Sequence, residues 1–142
     1  MKDGVPYTIK ELPKYETSES AGMDVRTPYP FRLEVGQGEL VDTGLIIEAP
    51  FGHCILVLPR SGLACKHGIT IPNAPGLIDG DYCGPNDTIK IKLINNGPAA
   101  FDFNAGDRIA QFLFVNFTRV FFSRGEIARS TDRGGFGSTG VS

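Results

Sequence analysis

The sequence predicts an all-β domain, a barrel or jelly-roll-like arrangement of roughly ten short strands. Three observations point there. Glycine (18) and proline (10) are abundant and fall as punctuation between short apolar runs. Those runs alternate, or stay continuously apolar, over strand-like lengths. Only one short segment reads as helical. A chain of 142 residues, 41% of them hydrophobic, suits one domain with one core.

The elements follow in order. Ala21-Gly22-Met23-Asp24-Val25 puts a carboxylate in a strand context, where aspartate is disfavoured. A carboxylate facing a metal-bound water would explain it, and so would a strand-end turn. Val41, Thr43, Leu45 and Ile47 line one face of a strand ended by Pro50. Ile55-Leu56-Val57-Leu58 is continuously apolar, so that strand is expected to be covered on both faces. Ser61 to Lys66 is the helical segment, with Ser61 as its N-cap. The run from Gly76 to Gly84 reads as a hairpin whose glycines permit tight turns, with Asp79 and Tyr82 projecting into a shared cleft. Thr88 to Leu93 alternates, isoleucines and leucine on one face, threonine and lysines on the other. Ile109 to Val115 is apolar except for Gln111, which is either bonded to buried backbone or a ligand contact. Turns are expected at 36–38, 95–97 and 104–107, where Gly and Asn cluster.

Several function classes lose support. A net charge of −2 argues against nonspecific binding to nucleic acid or anionic membrane. No apolar run approaches the roughly 20 residues of a membrane span. The first residues carry no apolar signal core, so a reducing, cytoplasmic setting is expected, or a host cytoplasm for a viral protein. Cys54, Cys65 and Cys83 form no CxxC pair, and with only His53 and His67 beside them a zinc site has little support. Asp79 to Lys90 begins like a calcium loop but has Cys83 and Lys90 where oxygen ligands belong.

The tail from Thr131 to Ser142 offers a guanidinium, an aromatic ring, hydroxyls and glycine N–H groups, with little apolar area to hold itself folded. A strap that orders over a phosphate- and ring-bearing ligand would be built this way. Pro59-Arg60-Ser61-Gly62 adds a charge, a hydroxyl and backbone donors where a strand gives way to the helix.

Taken in order, AGMD (21–24), PRSGLA (59–64), GLIDGDY (76–82), RIAQF (108–112) and GGFGSTG (134–140) resemble the five motifs of the trimeric dUTPases. The resemblance spans nearly the whole chain, from Ala21 to Gly140. It implies the distorted jelly-roll or β-clip barrel of that family over residues 1–128, with 129–142 as a flexible strap closing over substrate. It also implies hydrolysis of dUTP to dUMP and pyrophosphate with Mg²⁺, which supplies dUMP for thymidylate synthesis and keeps uracil out of DNA.

Residue by residue, the resemblance makes Asp79 the catalytic carboxylate that orients and deprotonates the attacking water. Tyr82 matches the ring packed against deoxyribose. Asn73 with Gly76, Leu77 and Ile78 matches the segment that reads uracil. Arg60, Ser61, Gly62 and Gln111 match phosphate contacts, and Asp24 the carboxylate that holds the metal site through water, Mg²⁺ being bound mainly by the phosphates. Arg133 and Phe136 match the strap's clamp and its uracil-stacked ring, and Gly137 and Ser138 cover the phosphates. A homotrimer with sites built between subunits is implied.

Two departures stand out. The family strap reads Arg-Gly-x-Gly-Gly-Phe, whereas here Arg133-Gly134-Gly135-Phe136 is two residues shorter, a loss of up to about 7 Å of reach. Either Arg133 clamps from a shifted register or Arg129 takes the role. Pro85-Asn86-Asp87 reads as an insertion beside the base pocket, and it shifts the register so that Lys90 falls near substrate. Two other readings compete: a dCTP deaminase of the same fold, possible as a bifunctional enzyme, and a dUTPase-like protein that binds a regulatory partner. Deamination needs a carboxylate, typically glutamate, near the base. The glutamates lie before position 50 and at Glu126, none of them in the 76–84 region.

Overall fold

The computed structural model describes residues 12–125, 128 and 131. The strap residues Arg129, Arg133, Phe136, Gly137 and Ser138 lie outside them. Nine strands and one helix are present among the described residues: β1 (Met23–Arg26), β2 (Phe31–Leu33), β3 (Gly38–Asp42), β4 (His53–Leu58), α1 (Ser61–His67), β5 (Ile69–Thr70), β6 (Gly76–Ile78), β7 (Lys90–Asn95), β8 (Phe101–Phe103) and β9 (Arg108–Asn116). They form three antiparallel sheets, ordered β1-β9-β4-β6, β2-β8 and β3-β7-β5.

The sheets close around one core. Val25, Leu33, Val41, Ile55, Ile69, Ile89, Ile91, Leu93, Ile109 and Phe112 bury their side chains almost completely. Their burial, at roughly 1.5–3 kcal/mol each, is the main term opposing chain entropy. In β7 the alternation works as expected, with Ile91 and Leu93 inward and Lys90 and Lys92 outward. Phe31 stacks on Phe103 across the β2–β8 pair at 4.6 Å between ring centres, which fixes that small sheet against the core.

Four expectations need correction. First, the segment after Gly76 is not a hairpin. β6 pairs with β4, and the chain then crosses to another sheet before β7 begins. The crossing loop is turned locally: Tyr82 N donates to Asp79 O at 3.1 Å. Gly84 N donates to Asp87 Oδ2 at 2.8 Å and Asp87 N to Gly84 O at 3.0 Å, so the 85–87 insertion closes on itself. Second, the N-cap of α1 is Arg60, with φ −89° and ψ 130°, and Ser61 is already helical; no side chain caps this end. Arg60 is held elsewhere by its guanidinium, which outweighs cap preference. Third, the strand through Val41 is regular only to Asp42. Gly44 takes φ 69° and interrupts it, although Thr43 N to Ile89 O (3.1 Å) and Ile89 N to Leu45 O (2.8 Å) carry the pairing on. Val41, Thr43 and Leu45 still point inward. Fourth, the outer faces of β4 and β9 are only partly covered, although Cys54 is buried there. Leu56, Leu58, Leu113 and Val115 on those faces are half-buried, and Leu77 beside them is exposed.

The helix is anchored at its far end. Gly68 terminates it in the left-handed conformation (φ 68°), its N–H returning to Ala64 O. Gly97, in the turn after β7, passes so close that a Cβ on it would lie 2.0 Å from His67 O. Buried Asn95 locks this turn: its Nδ2 donates to Leu33 O (3.0 Å) and Ala99 O (2.8 Å), and Gly97 N donates to its Oδ1 (2.9 Å). The core thereby sets where α1, and hence Arg60 and Ser61, can lie.

Candidate active site

Strand order brings four distant segments side by side. Met23, Phe112, Val57 and Gly76 form one row across β1-β9-β4-β6, and Asp24, Gln111 and Leu58 form the next. Two residues beyond Leu58 lies Arg60. Its Nε donates to Asp24 Oδ1 at 2.9 Å. Arg108 donates a terminal guanidinium N–H to Asp24 Oδ2 at 3.2 Å, and Gln111 Nε2 approaches Oδ1 at 3.5 Å.

Asp24 is only 6% exposed. A buried carboxylate is costly unless paired and hydrogen-bonded, and two guanidiniums and an amide meet that need. Two cations on one anion leave an excess positive charge at this end of the sheet. Ser61 and Gly62 are exposed next to it. A Cβ on Gly62 would meet nothing within 4 Å, so packing inside the chain does not demand glycine there. The arrangement can take a polyanion: charged forks, a hydroxyl and a backbone open to close approach.

A second group runs along β6, from beside Val57 to beside the start of β4. β6 runs antiparallel to β4, with Gly76 opposite Val57 and Ile78 opposite Ile55. Asp79 therefore emerges beside the start of β4, where a Cβ on Gly80 would lie 3.0 Å from His53 O. Asp79 and Tyr82 are exposed, and Tyr82 Oη donates weakly to Thr88 O at 3.4 Å. Asn73, also exposed, approaches Gly76: a Cβ on that glycine would stand 3.6 Å from Asn73 Nδ2 and 3.2 Å from Val57 Cβ. A side chain at position 76 would therefore press on Val57. Between Cys54 and Arg60 the extended chain covers about 20 Å, which sets Asp79 and Arg60 well apart along β4.

Lys90 belongs to neither group. It faces outward from β7, opposite Asp42, in another sheet. Arg108 was not singled out by sequence reasoning. Simple alternation from Gln111 puts position 108 on the opposite face, but the pairing of β1 with β9 slips between Val25 and Arg26, and the slip turns Arg108 toward Asp24. Among the described residues no group of three or more His, Cys, Asp or Glu is arranged to hold a metal ion.

The dUTPase family model matches residues 9–140. The deoxyuridine 5′-triphosphate nucleotidohydrolase of Anaeromyxobacter sp. (strain Fw109-5) is 46% identical over 132 residues, covering 92% of this chain and 88% of that protein. A crystal structure of the dUTPase from Streptococcus mutans superposes with a TM-score of 0.74 at 31% identity, covering 82% of this chain and 94% of that one. A mutant dUTPase from phage phi11 of S. aureus, described with a coordinated structural Mg(II) ion, superposes with a TM-score of 0.74 at 22% identity, covering 83% of this chain and 91% of that one. With five motifs in order, a matching fold and relatives this similar over nearly its full length, the chain belongs to the dUTPase family.

Proposed function

We propose that this protein hydrolyses dUTP to dUMP and pyrophosphate as a homotrimer whose sites are shared between subunits. The observation that carries this reading is the separation of Asp79 from Arg60. Arg60, Ser61 and Gly62 follow the end of β4, beside Asp24 and Gln111, whereas β6 leads from Gly76, opposite Val57, to Asp79 and Tyr82 beyond the start of β4. A second chain that supplies one of them lets a single nucleotide reach both Asp79 and Arg60. The half-buried face carrying Leu56, Leu113 and the exposed Leu77 offers apolar area for such a contact.

Chemically the division is sound. Asp79, open to solvent, takes a proton from a water aligned with the α-phosphorus. The new P–O bond forms as the α,β-bridging P–O bond breaks, and pyrophosphate leaves. Phosphoryl transfer needs alignment and charge neutralisation more than covalent help. Arg60, Ser61, Gly62 and Gln111 hold the phosphates. The exposed edge of β6 presents backbone donors and acceptors to uracil, Asn73 assists, and Tyr82 packs on the sugar. The strap residues Arg133 (or Arg129), Phe136, Gly137 and Ser138 complete the contacts.

Asp24 fits an indirect metal role. Both of its oxygens already accept from guanidiniums, which leaves room for a metal-bound water rather than a direct bond. Magnesium, when bound with the triphosphate, would neutralise the charge that develops on the phosphates. A cytoplasmic setting belongs to the same reading.

The test is product analysis with Mg²⁺ and, separately, dUTP, dCTP, dTTP and UTP. Pyrophosphate and dUMP from dUTP alone are expected. Deaminated product from dCTP would establish the deaminase reading instead, and binding of dUTP without turnover would favour a regulatory role.

A further inference from the structure

The geometry points to Arg108 as a positioning residue that decides how Arg60 is presented to phosphate. The inference rests on the dUTPase reading above. An arginine facing a carboxylate tends to engage it as a two-pronged fork, Nε on one oxygen and a terminal nitrogen on the other. Arg60 does not. It reaches Asp24 Oδ1 through Nε alone, because Arg108 occupies Oδ2 at 3.2 Å. Neither terminal nitrogen of Arg60 has a hydrogen-bond partner among the described residues, so both remain for a ligand. Gln111 adds its amide on the Oδ1 side at 3.5 Å.

Arg108 is suited to this task. It opens β9 opposite Arg26, whose guanidinium donates to Gly106 O at 2.9 Å and lies 3.8 Å from Glu16. Two arginines paired directly across strands repel unless anions intervene. Asp24 therefore attracts Arg108 strongly, and the shift in register aims it there. If Arg108 lost its charge, Oδ2 would be free. Arg60 would close its fork on Asp24 and withdraw one terminal nitrogen from the phosphates. That contact is made in ground and transition states alike, so KM should suffer and kcat should not.

The experiment compares Arg108→Gln and Arg108→Lys with the unaltered enzyme under saturating Mg²⁺, with dUTP as substrate and thermal midpoints alongside. Arg108→Gln is expected to raise KM about tenfold with kcat changed less than about threefold. Arg108→Lys, which keeps a cation on Oδ2, is expected to restore KM to within about threefold. An unchanged KM in Arg108→Gln overturns the inference. So does an equal loss in both variants, which would make Arg108 a direct forked contact. Should Arg108→Gln fail to fold, Arg108→Met decides against Arg108→Lys: the methionine variant is expected to raise KM about tenfold over the lysine variant at similar kcat, and equal KM values overturn the inference. Unaltered enzyme that does not turn over dUTP would defeat the underlying reading instead.

Discussion

Arg60 and Asp24, 36 residues apart in sequence, meet at 2.9 Å where β1, β9 and β4 end together. The pair joins the helix start to the sheet and leaves an excess of positive charge facing outward. Removing the carboxylate should therefore do two things. Asp24→Ala leaves Arg60 and Arg108 to repel each other, and it should cost about 1–3 kcal/mol of stability, discounted because both guanidiniums are partly solvated. Denaturant unfolding measures this, and a loss under about 0.5 kcal/mol would remove the pair's structural role.

Sharing of sites between chains predicts complementation. Asp79→Asn alone should lower kcat by at least about a hundredfold while dUTP still binds. Arg60→Gln alone should weaken phosphate contact. Mixed refolding of the two impaired proteins should restore about a quarter of the sites to full function, because each restored site takes one intact residue from each chain. No recovery would mean that Asp79 and Arg60 serve sites within one chain.

The crossing of Gly68 and Gly97 predicts a graded response to alanine. At Gly36 (φ 75°) a Cβ meets nothing within 4 Å, so Gly36→Ala bears only the left-handed backbone cost of about 1–2 kcal/mol. At Gly68 (φ 68°) the Cβ would also lie 2.5 Å from the Gly97 Cα. Gly68→Ala should exceed Gly36→Ala by about 1–3 kcal/mol in the same unfolding assay. Equal losses would show that the crossing relaxes freely.

Asn95 predicts a large effect from a small change. Its side chain satisfies Leu33 O, Ala99 O and Gly97 N, in a position without solvent access. Asn95→Ala strands these groups and should cost about 2–4 kcal/mol. Because the same turn holds the end of α1, KM for dUTP should rise as well. Calorimetry and initial rates on one preparation would show both.

Tyr29 predicts the alkaline limit. Burial pushes its phenol pKa upward, helped by the carboxylates of Glu39 and Asp42 and opposed by the Asp42 backbone N–H, which donates to the hydroxyl at 3.2 Å. The neutral form is favoured in the folded state. Stability is therefore unaffected below the unfolded value of about 10 and is lost as pH rises from there through the raised folded value. Tyr29→Phe should flatten that part of the stability profile. An unchanged slope above pH 10 would assign the loss to other groups.

Much of this molecule is legible in the residue order because local rules and global packing agree. Alternation in 88–93 reports a half-buried strand, the apolar run 109–115 a strand against the core, and Ser61 to Lys66 the helix. The motifs mark nearly every residue now found in the two groups. Legibility ends where long-range contacts outweigh local preference. Arg60 displaces Ser61 as the N-cap because its guanidinium is drawn to Asp24. The expected hairpin at Asp79 is absent because β6 finds its partner in β4, and Arg108 reaches Asp24 only through a slip in pairing that alternation cannot foresee. The sequence alone determined the fold class and the inward face of strands such as β7, since side-chain type and spacing carry those. Only the tertiary structure decided that Arg60 follows the end of β4 while Asp79 emerges beside its start. Sheet order and register are set by which distant strands pair, and no local spacing records that choice.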